Sequence, residues 1–266
     1  MAQIRDQAIL LRRTPYGESS LVAQLLTEQH GRVHVIAKGA YRPTSRFYCV
    51  LDLFDTLDVG WSHSPRRELQ LLSQGDLALR RKSLRTGLDR YRAALAMVEL
   101  CELAARPGAA DQGLYKLLAG GLDVLAAESC SADLVLVVFE LAFLQNLGLA
   151  PALEHCAACG GPAQAVSSRG DRAAFSAGAG GRLCRNCGEE ARASGRRVGT
   201  LPVAVLGHAA ELSRTPRTAL GGVGLNQDQT DRVRDFVERF MDYHLETRPR
   251  MHREFLSVSN RNAPTP

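Results

Sequence analysis

Along residues 4–79 the hydrophobic and polar positions alternate in short runs separated by turn signals, the pattern of strands with one buried and one open face. Runs at 4–13, 19–27, 32–38, 53–61 and 68–72 predict five strands. Thr14-Pro15-Tyr16-Gly17 reads as the first turn, and Gln29-His30-Gly31 as a hairpin in which glycine can take the positive φ required. Val33, Val35 and Ala37 alternate with His34, Ile36 and Lys38, which predicts a third strand with one side available. Five short strands are the number in an OB-fold barrel.

The period then changes to that of helices. Leu84, Leu88, Tyr91, Leu95 and Val98 fall on one helical stripe that Pro107-Gly108 ends. Further helices are predicted at 111–127 and 132–147, the latter apolar nearly all round and therefore central, closed by Gly148 and Pro151. Others are expected near 202–213 and at 228–244, where Val233, Phe236, Val237, Phe240 and Met241 face inward. The class is α+β: an N-terminal five-stranded OB-fold barrel (1–80), then a helical domain in two parts (81–155 and 191–258). The second part follows an embedded four-cysteine module (156–190), and a frayed tail closes the chain (259–266).

Chemistry concentrates in that module. Cys156-Ala-Ala-Cys159 and Cys184-Arg-Asn-Cys187 are separated by 24 residues, a spacing at which two Cys-x-x-Cys turns converge on one tetrahedral zinc ion. Four thiolates close the shell, so the metal is expected to hold structure and to activate no water. His155 beside Cys156 is a bystander. The rival, a disulfide framework, needs an oxidising compartment, and nothing at the N-terminus resembles an export signal. The expected location is the cytoplasm, and the Gly178 to Gly181 run reads as a hairpin turn. Cys49, Cys101 and Cys130 stand singly and read as small buried side chains.

Net charge is +5, from 33 basic and 28 acidic side chains, and it is unevenly spread. Arg80, Arg81, Lys82, Arg85, Arg90 and Arg92 crowd residues 80–92, whereas residues 93–150 are acidic by comparison. The segment from Lys38 through Gly39, Tyr41, Arg42 and Arg46 to Phe47 combines three cations, two rings and a flexible glycine, the mixture that binds single strands on an OB barrel. The alternative is a solvated turn whose rings tuck back into the barrel, and a charge run at 80–92 is equally readable as the wet face of a helix. No phosphate loop, nucleophile elbow or His-Glu-x-x-His helix is present.

The ordered set Tyr16 to Leu21, Gly31-Arg32-Val33, Lys38-Gly39-Ala40 with Ser45-Arg46, Phe139-Glu140-Leu141 with Leu147-Gly148, Cys156 to Gly160, Gly180-Gly181 before Cys184, and His244-Leu245 with Arg253-Glu254-Phe255-Leu256 resembles the RecO family of bacterial recombination mediators over nearly the whole chain. The resemblance implies binding of single- and double-stranded DNA and annealing of strands coated with single-strand-binding protein (SSB). It also implies action with RecR, and often RecF, to load RecA, and so a place at the nucleoid. By that resemblance Lys38, Tyr41, Arg42 and Arg46 lie on the DNA face, extended by Arg80, Arg81, Lys82 and Arg85. Many relatives place arginines just before Phe-Glu-Leu to receive the acidic tail of SSB; here Val137 and Val138 stand there. Two rivals remain at this stage: a zinc-stapled adaptor that binds only proteins, and an enzyme using the zinc or the thiols.

Overall fold

A computed structural model describes residues 2–47, 49–166 and 171–245, and the chain divides into two compact units, Met1–Glu128 and Ser129–Arg248. The segment expected as one stretch of helical domain, 81–155, is thereby split between them. The Arg253-Glu254-Phe255-Leu256 motif and the 259–266 tail lie outside the described residues.

In the first unit β1 (Ala2–Tyr16), β2 (Ser20–Thr27), β3 (Gly31–Ala37), β4 (Thr56–His63) and β5 (Leu69–Leu79) close a barrel in the order β1-β2-β3-β5-β4. All neighbours are antiparallel except β3 and β5, which run parallel with His34 opposite Leu69. The N-terminal half of β1 pairs with β4 and its C-terminal half with β2, the change being marked by an irregularity between Leu10 and Arg12. Ala8, Leu10, Leu25, Val35, Leu57, Val59 and Trp61 fill the interior.

The five predicted strands are present, with shifted limits. β1 runs on through Pro15 and Tyr16 because this half is paired on one side only, where a residue without an N–H is tolerated. The turn shrinks to the residues after it, with Gly17 at φ +62°. The fourth strand starts at Thr56, since Phe54, fully buried, takes φ +72° and breaks the extended run. The fifth continues to Leu79, although Leu77 and Leu79 are exposed and so give no alternating signal.

A short 3₁₀ turn (Lys82–Arg85) leads to α1 (Leu88–Ala104) and α2 (Gln112–Ala126), which pack together. The predicted stripe on α1 is corrected here. Leu84 belongs to the preceding turn, Leu88 is 62% exposed, and the buried face is Ala93, Ala94, Ala96, Met97, Val98, Leu100 and Cys101. Small side chains let helices approach closely, so an alanine-rich face buries more than its hydrophobicity suggests.

In the second unit α3 (Ala132–Asn146) is buried on nearly every side, as its sequence predicts. It packs against α5 (Val203–Arg214) and α6 (Gln227–His244). The inward residues predicted for α6 are all buried, and a reciprocal cap between Asn226 and Gln229 starts that helix. Around the cysteines lies a sheet of β6 (Arg172–Ser176), β7 (Gly181–Leu183) and β8 (Gly199–Pro202) in the order β7-β6-β8, with α4 (Arg185–Ala193) against β6. The Gly178 to Gly181 run does make the β6–β7 connection, but β8 lies beyond the expected limit at 190. No described helix is long and apolar enough to cross a membrane.

Candidate metal centre and nucleic-acid surface

Two backbone devices bring the cysteines together. Cys156 and Cys159 sit in a tight turn closed by Gly160 N–H to Cys156 O (2.8 Å) and Cys156 N–H to Gly161 O (2.9 Å). Cys184 occupies the position just before α4, and Cys187 lies in its first turn. The two arms are joined through β7: Ala152 accepts from Arg182 N–H and Ala157 N–H donates to Arg182 O, both at 2.8 Å. Gly181 (φ +152°) is required there, because a Cβ would lie 2.4 Å from Ala152 O.

The four Sγ atoms lie within 4.8 Å of one another, and Cys159 and Cys184 are 4.0 Å apart. A tetrahedral Zn–S₄ site with bonds near 2.3 Å has sulfur edges of about 3.8 Å, so the cluster fits a single ion with little adjustment. None of the four is in a disulfide, and His155 is outside the group. Burial opposes ionisation of Cys156, but hydrogen bonds from the backbone of Cys184, Cys159 and Ala158 outweigh it and bring this thiol down to about 6. Hydrogen bonds with the Cys184 and Cys159 sulfurs push Cys187 up to about 12. One thiolate forms readily and the last resists, the behaviour of a cage that needs a cation to ionise fully. Of the three single cysteines, Cys101 is buried and its thiol is pushed up by burial and by Asp111, whereas Cys49 is exposed, against expectation.

The segment after β3 is a chain of turns anchored to the barrel. Tyr41 N–H donates to Ser19 O (2.9 Å), Arg42 N–H to Gly39 O (3.0 Å) and Ser45 N–H to Arg42 O (2.9 Å). Lys38, Tyr41, Arg42 and Arg46 are exposed, and the three cations make no ion pair among the described residues. Phe47 does tuck back onto the barrel core, with the Arg46 guanidinium 5.8 Å from its ring centre. Beneath the loop a pocket of about 340 Å³ is lined by Arg13, Leu21, Ala40, Tyr41, Phe47 and Leu51. No local pattern points to Arg13, which lies 25 residues before the basic loop and reaches the pocket through the pairing of β1 with β2.

Within the cluster at 80–85 Arg81 is buried and Arg85 half-buried, whereas Arg80 and Lys82 are exposed, so burial removes only Arg81 from the expected DNA face. Arg81 is 4% exposed; its Nη1 donates to Phe54 O (2.7 Å) and Thr56 Oγ1 (3.1 Å), and its Nε to Asp123 Oδ1 (2.7 Å). Arg85 pairs with Asp55 (3.0 Å) and Asp52 (3.3 Å), and Arg80 pairs with Asp55 (3.6 Å) and donates to Cys49 O. Asp55 is buried, and these cations neutralise it. Arg80 and Lys82 are both exposed, and Lys82 alone of the four makes no ion pair among the described residues. Val137 and Val138 are buried in α3, so that site offers no cation to an acidic tail.

The family model described as Recombination protein O N terminal matches residues 1–80, and Recombination protein O C terminal matches 85–254. The chain is 36% identical over 185 residues to the DNA repair protein RecO of Nocardioides sp., covering 69% of this chain and 73% of the relative. It is 32% identical to the namesake of Rubrobacter xylanophilus over 228 residues (85% and 88%). With that of Desulfatibacillum aliphaticivorans identity is 27% over 264 residues, 98% and 100% of the two chains.

Proposed function

Because this chain belongs to the RecO family of DNA repair proteins, we propose that it binds single- and double-stranded DNA through an OB-type barrel and anneals complementary strands. In the same reading it acts with RecR and RecF to load RecA on DNA coated with SSB. The observation that carries DNA binding is the anchored loop in which Lys38, Arg42 and Arg46 stand exposed beside Tyr41, without carboxylates to neutralise them among the described residues. Cations held on a fixed scaffold neutralise phosphates, and an exposed ring offers a face to bases. Annealing follows from holding two polyanions on one molecule, which raises their effective concentration and breaks no covalent bond.

Cys156, Cys159, Cys184 and Cys187 hold one zinc ion in this proposal; the ion supplies cohesion to the sheet and helix around it. With Val137 and Val138 buried, the cation for the acidic tail of SSB comes from another position or is absent.

The test is a titration of labelled oligonucleotides over a range of salt. Replacing Lys38, Arg42 and Arg46 together by alanine should flatten the slope of log K against log salt by about 2 on single strands, from about 0.7 per phosphate contact. An unchanged slope removes these residues from the DNA face. A wild-type protein without salt-sensitive binding supports instead a zinc-stapled adaptor that contacts only proteins.

A further inference from the structure

At the end of the barrel where β3 and β5 begin and β4 ends, a cavity of about 580 Å³ is lined by His30, Arg32, His34, Trp61, His63 and Arg67, with Ile4 and Glu68 beside them. Its size is that of small-molecule sites, which favour the mouths of barrels. Lys38, Tyr41, Arg42 and Arg46 do not line it.

Three buried nitrogens in this lining find no hydrogen-bond partner among the described residues: Trp61 Nε1, Arg32 Nε and His34 Nε2. Trp61 is only 1% exposed. Its ring is fixed by the barrel core and by an edge-to-face contact with His30, whose own nitrogen is held by Asp6 at 2.7 Å. A buried donor left alone costs about 1–3 kcal/mol, and three such donors belong to residues that line one cavity, so a ligand that the side chains turn to meet relieves that cost. Indole and guanidinium nitrogens only donate, and a neutral imidazole can donate from Nε2, so the ligand must bring acceptors. Arg32 spends Nη1 on the Glu102 carbonyl (3.2 Å) and makes no ion pair among the described residues. Glu68 is the one carboxylate lining the cavity, and Glu102, whose charge also reaches His34, is paired with Arg12 (3.5 Å), so two guanidiniums favour an anion.

Three donors match the three oxygens of a terminal phosphate better than the two of a carboxylate. The cavity is also far larger than a phosphate group, which leaves room for an organic portion. We propose that this end of the barrel binds a terminal phosphomonoester of nucleotide size, its oxygens accepting from Trp61 Nε1, Arg32 Nε and His34 Nε2. The same chemistry comes from a free nucleotide or from the 5′-phosphorylated end of a DNA strand.

Trp61 is the only tryptophan in the chain, so a ¹⁵N-labelled full-length sample gives one indole Nε1–H cross-peak. Titration with adenosine 5′-monophosphate should move that peak saturably, while adenosine leaves it in place. Arg32→Gln should weaken the nucleotide by roughly tenfold or more, the loss of a charge-assisted hydrogen bond; should that variant fail to fold, His34→Ala serves in its place. Short oligonucleotides with a 5′-phosphate or a 5′-hydroxyl separate the sources. A shift from the phosphorylated strand and not its twin assigns the site to strand ends, and a shift from the nucleotide alone assigns it to free nucleotides. Either result upholds the site. It is overturned if no phosphomonoester moves the peak, if adenosine or the hydroxyl strand moves it equally, or if the variant binds like wild type.

Discussion

Arg81→Met should cost stability and leave the proposed DNA binding intact, the reverse of the outcome expected for charge loss in the basic loop. The side chain is 3% exposed and ends in three hydrogen bonds, to Phe54 O, Thr56 Oγ1 and Asp123 Oδ1. Methionine fills most of the volume and donates nothing. Phe54 O then loses its charged donor at a residue held at φ +72°, a backbone state that persists only where its surroundings enforce it. Leaving such a buried acceptor alone costs about 1–3 kcal/mol. The Thr56 hydroxyl can turn to another partner, and Asp123 is half exposed and rehydrates, so both add little. The total stays at about 1–3 kcal/mol, a sizeable part of a typical stability of about 5–15 kcal/mol. Urea unfolding followed through Trp61, which lies in the barrel core, reads this directly. With a slope of about 2–3 kcal/mol per molar, the midpoint should fall by about 0.3–1.5 M. The salt slope of oligonucleotide binding, measured on the folded variant, should match wild type. A midpoint shift below about 0.3 M, or a salt slope shallower by about 1, would refute the internal role and return Arg81 to the DNA face.

Chelation, or Cys184→Ser, should release about one zinc per chain and remove hydrogen-exchange protection from β6 and β7; retained protection would show that the metal is not structural. Gly181→Ala should destabilise the second unit by roughly 1–3 kcal/mol, since the new Cβ meets Ala152 O, and an unchanged melting temperature would contradict the close approach. Burial and Arg32 hold the His34 imidazole below its ordinary value, against the opposing pull of Glu68 and Glu102. The unfolded chain therefore takes up this proton first. Stability is complete above about pH 6.5 and declines below it, by at most about 1.4 kcal/mol per pH unit. His34→Gln should remove that part of the acid limb; superposable limbs would show that His34 does not contribute.

What the sequence determined by itself were features fixed by short-range spacing. Two Cys-x-x-Cys turns must each point a pair of sulfurs at one place, and all four do converge. The apolar run of α3 predicted its burial, and the stripe of α6 its inward face, because helical periodicity ties position to direction. The strands of the barrel could be counted, and the exposed loop from Lys38 to Arg46 could be named. Only the tertiary structure decided which charges are free. Arg81 and Lys82 are neighbours with the same charge, yet one is buried beside Phe54 and Asp123 and the other is exposed. The difference is set by Asp55 and the left-handed turn at Phe54, some 26 residues earlier, which no local pattern connects to position 81. In the same way Arg13 reaches the pocket under Tyr41, and Trp61, Arg32 and His34 share a cavity, only because the barrel closes and brings distant strands side by side. Spacing carries information over a turn or two of chain, whereas the pairing of strands and the burial of a charge depend on partners far away in sequence.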